Sequence, residues 1–429
     1  MPAVGRDPGV LLLGSDFKAL GVARSLGRRG VRVAIVDNLP RSAWFSRHVA
    51  KRFRWDESMS SAALPDFLLE IAGRGAEGWV LWPAQDDALE LVARNSKRLA
   101  TAYELITPPW EVLRQAHDKR LLHEAADEVG VQHPRTWYPQ SERSLQTLQV
   151  EFPAIIKPTV SIDLQHALGR KALPVRDINQ LLEGYQLAAG IVPADHLMVQ
   201  EIIPVGAQHS VAAFAVDGQV VSAMTARRTR QYPIDYGLSS TFVEAIEMAG
   251  LIEPASRILG RLGLSGMVEV EFIQDQRDGR HKLLDVNPRP WGWHTLCIAC
   301  GLDFPAMQYA HALGRPVPRL TPRYGPRWIR LLTDVPAGFQ STKAGTMTAG
   351  AYLRSLFAGE TVGSVFDVRD PWPAAGDLAV AVSRVAKALF RRSGTYPPDR
   401  PSSYLEHSHR QVPPAVRAEQ ETSSPPPGR

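Results

Sequence analysis

The residues best suited to chemistry lie in two neighbouring runs, Gly266-Met-Val-Glu-Val-Glu-Phe272 and Lys282-Leu-Leu-Asp-Val-Asn-Pro-Arg289. Strand side chains alternate between faces, so Glu269 shares a face with Glu271, and Asp285 shares one with Asn287. Positions 271 and 285 are equidistant from Asp278, inside the Asp275–Gly279 turn, so a hairpin sets Glu271 nearly opposite Asp285. Two or three carboxylates gathered without a paired cation are costly to bury. A hard divalent ion with oxygen ligands removes that cost, and Mg²⁺ held by carboxylates plus nucleotide phosphates is the usual arrangement. The bland alternative is a solvent-facing acidic strand, against which Asn287 and Arg289 immediately downstream argue.

Phosphates would need cations. There is no G-x-x-x-x-G-K-[ST] loop, so this is not a P-loop protein. Lys119 lies in a helical stretch, and Lys157 closes the apolar run Phe152-Pro-Ala-Ile-Ile-Lys157; surface snorkelling is the competing reading for both. Arg227-Arg-Thr-Arg230 follows a strand, and arginine suits bidentate carboxylate binding. Arg228 and Arg230 are therefore candidates for holding a substrate, with a solvated charge run as the alternative. A dinucleotide site after the first strand fails, because only Gly14 and Gly21 are present, seven residues apart. Cys297-Ile-Ala-Cys300 has the spacing of a redox dithiol, but its small and apolar neighbours favour two core thiols.

The elements that must position these residues are legible in outline. Val10–Leu13, Phe17–Arg29 and Val31–Val36 read as strand, helix and strand. A helix near 64–74, a strand at 79–82 and a helix over 86–98 continue the alternation, which argues for a parallel sheet covered on both faces. Residues 110–130 read as one helix stopped by Gly130 and Pro134. Strands at 154–157 and 197–202 bracket a helix at 177–189. Asp217-Gly218 joins strands 210–216 and 219–225 in a tight hairpin. From Tyr396 onward 8 of 34 residues are proline, so that tail is expected to be disordered. Leu378–Phe390 is amphipathic; packing on the core is preferred there over contact with a membrane surface.

Composition bounds the rest. The 429 residues call for two or three domains, and 44% hydrophobic with 22% charged residues excludes wholesale disorder. Two cysteines point to a reducing cytoplasm, and no apolar run approaches the roughly 18–20 residues of a membrane span. The N-terminus does not read as a signal peptide. Residues 1–55 hold 11 Lys+Arg against 3 Asp+Glu, which suggests a basic wall facing an anionic ligand. Nucleic acid is not expected, since no reader motif accompanies the charge.

Taken together, Asp118-Lys119, the Ile-Ile-Lys157-Pro strand, Met198-Val-Gln-Glu201-Ile-Ile-Pro204, and Glu271 with Asp285-x-Asn287-Pro-Arg289 resemble the ATP-grasp ligases. Within them they look most like the carboxylate–amine ligase branch that includes D-aspartate ligase, over roughly residues 10–330. The resemblance implies an α/β ATP-grasp fold behind a Rossmann-like parallel-sheet domain. It divides the chain at 1–112, 113–202, 203–330, a helical extension 331–395 and the tail 396–429. It also implies ATP with Mg²⁺ (Mn²⁺ as the alternative ion), and small-molecule carboxylate and amine substrates; a homodimer is compatible with it. Lys119 and Lys157 would meet the phosphates, and the strand Gln200, Glu201, Ile202 and Ile203 would read adenine through its backbone. Gln208 or His209 would reach the ribose, and Glu271, Asp285 and Asn287 would hold the ion. Arg289 would steady the acyl-phosphate. Asp285 stands where many members carry Glu. The stretch Thr159–Lys171 has one glycine where many members have several; Ser161, His166, Arg170 and Lys171 would substitute side-chain donors, Lys171 as a further phosphate contact. The implied activity is ATP-dependent amide formation; the alternative is a non-catalytic nucleotide-binding protein on the same scaffold.

Overall fold

The structure is a computed structural model that describes residues 7–56, 61–160, 172–204, 207–234 and 239–391. The predicted tail 396–429, Lys171 and the donors Ser161, His166 and Arg170 lie outside them.

The first sheet is parallel throughout, in the order β3-β2-β1-β4-β5, with β1 (Val10–Leu13), β2 (Val33–Asp37), β3 (Val49–Arg54), β4 (Trp79–Pro83) and β5 (Tyr103–Leu105). β1 is apolar and fully buried because helices cover both faces of the sheet. Asp16 caps the Phe17–Gly27 helix by accepting from the Lys18 and Ala19 amides. Gly21 is there for packing: a Cβ would stand 2.4 Å from the His294 ring. That close approach accounts for the glycine without a dinucleotide.

A four-stranded sheet follows in the order β6-β9-β7-β8, from β6 (Thr136–Trp137), β7 (Ala154–Pro158), β8 (Leu173–Val175) and β9 (Leu197–Glu201). The seven-stranded sheet runs β14-β13-β10-β11-β12-β15-β16. Its strands are β10 (Gln208–Val216), β11 (Gln219–Tyr232), β12 (Ser239–Ala245), β13 (Gly266–Gln274), β14 (His281–Asn287), β15 (Arg327–Ile329) and β16 (Thr361–Gly363). The β10–β11 turn has positive φ at both Asp217 and Gly218, as a tight two-residue hairpin requires. One face of this sheet (Ala212, Phe214, Met224, Ala226) shares a core with the first sheet and with Trp291 and Trp293. The other (Val211, Ala213, Val268, Val270) packs on the Ile252–Leu262 helix.

Two expectations need correction. The helix over 110–130 is two, Trp110–His117 and Lys119–Glu128, because Asp118 leaves the helical conformation and caps the second by accepting from the Arg120 amide. Lys119 therefore opens a helix. β11 extends to Tyr232, so the arginine run lies within a strand. The 378–390 stretch belongs to a Trp372–Arg391 helix whose early part packs on Ser42–Phe45, with Gly376 against Phe45, while Leu378 and Val382 stay exposed. Among the described residues no helix is long and apolar enough to cross a membrane.

Candidate active site

The hairpin of β13 and β14 places Glu271 opposite Asp285 and Glu269 opposite Asn287, as the alternation requires. Leu284 is the extra residue of a bulge between the 271/285 and 272/283 pairs. The Glu271 carboxylate accepts from Arg228 at 2.9 Å and from the Asn287 amide at 3.0 Å. Asp285 accepts from Lys119 Nζ and, at 2.9 Å, from the Val286 amide. Glu269 lies beneath them, accepting from Trp293 Nε1 at 2.8 Å and Asn287 Nδ2 at 3.3 Å. Burial, and then the neighbouring Glu271 charge, push its pKa well above the ordinary carboxylate range.

Lys119 and Arg228 thus pair with the carboxylates that the sequence reading left without cations, so burial cost alone does not demand an ion here. Among the described residues no group of three or more His, Cys, Asp and Glu is arranged to hold a metal. The donor set still fits Mg²⁺. Two opposed carboxylates and an amide oxygen offer only hard ligands, and this ion is commonly held by one or two carboxylates together with substrate phosphates.

These groups line a cavity of about 340 Å³ between the two larger sheets. Arg289 enters it in contact with both Asp86 oxygens, its Nη2 lying 2.8 Å from Oδ2 and 3.1 Å from Asn287 Oδ1. Burial disfavours the charged form of Asp86, but the Arg289 guanidinium outweighs it and holds the carboxyl well below its usual range. The first domain's share of the wall is Asp16, Phe17, Lys18, Asp86 and Leu89, which is mixed in charge and not the expected basic surface. The N-terminal cations are used elsewhere: Arg24, Arg28 and Arg29 pair with Asp370, Asp367 and Asp303. Lys51, Arg52 and Arg54 stand exposed on the edge strand β3, where charge discourages strand addition.

The other candidates divide. The Lys119 amide donates to the Thr159 carbonyl at 3.0 Å, tying the end of β7 to the start of the Lys119 helix. Lys157 and Lys119 both act on buried His123, whose ring stacks on His133 at 4.1 Å; burial, then the charges of His133 and the two lysines, lower its pKa to about 2. The Glu201 carboxylate accepts from the Arg135 amide, Arg277 and Lys282, fixing the end of β9. Gln200 donates to Thr136, and the Ile202 amide to the Pro153 carbonyl; Ile203 is buried. Gln208 joins the cavity face by accepting from Arg228 at 2.7 Å. His209 is on the opposite face, 3.1 Å from His281, with its pKa lowered to about 4 by burial and then by that neighbour.

Arg230 is not at the site. A bulge at Thr229 reverses the alternation, so Arg230 turns away from Arg228 and forms two 2.8 Å hydrogen bonds with buried Asp334. Cys297 and Cys300 are free and buried, and burial raises both thiols.

Asp16, Lys18 and Asp86 were missed by the motif search. The signal was topological: Asp16 follows β1 and Asp86 follows β4, and ligands collect at the carboxyl ends of neighbouring parallel strands where the chain order reverses.

A family model described as "ATP-grasp in the biosynthetic pathway with Ter operon" matches residues 194–333. The carbamoyl phosphate synthase large chain of Thermus thermophilus is 22% identical over 64% of this chain, which spans 27% of that relative's length. The D-aspartate ligase of Enterococcus faecium is 21% identical over 65% of this chain and 70% of its own. Among solved structures, an L-amino acid ligase from Bacillus licheniformis superposes with a TM-score of 0.54 at 14% identity, covering 72% of this chain and 75% of the other. The biotin carboxylase domain of Hydrogenobacter thermophilus 2-oxoglutarate carboxylase, solved with MgADP and bicarbonate, gives 0.61 at 16% identity, covering 75% and 74%.

Proposed function

We propose that this chain, ATP-grasp in fold and in the family model matched over residues 194–333, is an ATP-dependent ligase joining a carboxylate to an amine. The observation that carries the reading is the opposed Glu271/Asp285 pair with Asn287 and Arg289, set in a cavity that Lys119 also lines. A carboxylate oxygen of the first substrate attacks the γ-phosphorus of ATP and ADP leaves. The amine then attacks the acyl-phosphate carbon, loses a proton and expels phosphate, leaving an amide. Such transfers depend on positioning and charge neutralisation, which is why a nucleophile triad is not required.

Lys119 and Lys157 neutralise phosphate charge, and adenine meets the backbone beyond Ile202, whose own amide is already committed. Glu271, Asp285 and Asn287 would hold Mg²⁺, which supplies further neutralisation at the phosphates. Arg289, held by Asp86, steadies the developing anion, and Arg228 orients the acid. The cavity wall carries both signs, with Lys18, Arg228 and Arg289 suited to a carboxylate and Asp16 and Asp86 to an ammonium group. That is the charge set of an amino acid. ADP release across paired carboxylates and amines, with Mg²⁺ or Mn²⁺, tests the reading. A second reading, a nucleotide binder without turnover, draws on the single glycine in 159–171; it predicts ATP binding with no ADP from any pair.

A further inference from the structure

Among the described residues, the large apolar side chains exposed by half or more all lie between residues 331 and 382. Three helices each present a pair four residues apart: Val335 and Phe339 on Leu331–Lys343, Leu353 and Phe357 on Ala349–Phe357, Leu378 and Val382 on Trp372–Arg391. Trp372 and Val368 add to them, 69% and 78% exposed. The helices are joined. Gly338 packs under the Tyr352 ring, next to Phe339 and Leu353, and Arg330 lies 3.4 Å from Asp377, next to Leu331 and Leu378. Apolar surface on this scale marks an interaction site.

The charges on this segment say what covers it. Its five acids, Asp334, Glu360, Asp367, Asp370 and Asp377, are all paired with arginines outside the segment. Its cations Lys343, Arg354 and Arg369 are exposed and, among the described residues, have no acidic partner. We propose that this face docks on a membrane surface carrying anionic lipid, the apolar pairs entering the headgroup boundary and the cations meeting the phosphates. Tryptophan is favoured at that depth. A second copy fits less well, because a two-fold contact would bring an unpaired basic face against itself. The first turns of the final helix pack on Ser42–Phe45, while Leu378 and Val382 beyond them stay exposed.

The test is cosedimentation of the full chain with phosphatidylcholine vesicles, with and without phosphatidylglycerol, over a salt series. Partition is expected to be roughly tenfold higher on the anionic vesicles and to fall as salt rises. The substitutions Phe339→Ser, Phe357→Ser and Trp372→Ser together should abolish binding, and Arg354→Glu with Arg369→Glu should remove the anionic preference. All five side chains are exposed, and an unchanged melting curve verifies folding; should the serine variant fail to fold, the glutamate variant decides. Equal partition into both vesicles, no partition into either, or a concentration-dependent dimer that the same substitutions dissolve would overturn the proposal. None of these readouts depends on ligase activity.

Discussion

At the scale of single residues, Glu271 and Asp285 are the sharpest commitment. Glu271→Gln and Asp285→Asn keep a hydrogen-bond acceptor for Arg228 and Lys119, so the fold should persist while ADP release falls roughly 100-fold. Arg228 and Arg230, two positions apart, should behave in opposite ways. Arg230→Ala leaves Asp334 buried and unpaired and should cost about 3–5 kcal/mol in urea unfolding. Arg228→Ala should change stability little and raise the KM of the carboxylate substrate. If Arg230→Ala lowers activity without loss of stability, the bulge at Thr229 has been misread. The contrast also marks where the sequence stops being legible. The 271/285 pairing follows from a period of two and the place of a turn, both local. The fate of Arg230 depends on one bulge that no period announces, and Asp86 reaches Arg289 across 203 residues.

At the scale of elements, helices and strands were visible because their apolar periods are strong. The break at Asp118 was not, since a capping aspartate inside an amphipathic run leaves the period intact. The contact between the Phe17–Gly27 and His294–Ala299 helices, where Gly21 admits the His294 ring, carries a pH signature. Burial lowers the His294 pKa from 6.5 to about 4, so the folded state resists a proton that the unfolded chain accepts. Stability is full above pH 6.5 and declines between 6.5 and 4, by up to about 1.4 kcal/mol per pH unit from this group. His123 and His209 are shifted in the same direction and steepen the decline. His294→Phe should flatten the pH dependence of the urea midpoint by about one proton's worth; an unchanged slope would show that His294 titrates normally in the fold.

At the scale of the molecule, the segment after residue 331 is tied back to the beginning of the chain. Buried Asp370 accepts from Arg24 at 3.0 Å, Ser46 at 2.7 Å and the Arg47 amide at 3.0 Å. Asp370→Ala strands Arg24 and should cost about 3–5 kcal/mol, read as a lowered melting midpoint. No local pattern could have revealed that pair, which is 346 residues apart. The central claim, that the cavity between the sheets makes an amide at the expense of ATP, is tested most directly by incubating the chain with ATP, Mg²⁺ and pools of amino acids and related acids. ADP release and the mass of any new product are then followed together. The account predicts ADP in proportion to an amide, only when a carboxylate and an amine are both present, and neither from Glu271→Gln. ATP bound tightly with no ADP from any pair, or ADP formed at the same rate without an amine and with no amide, would contradict it.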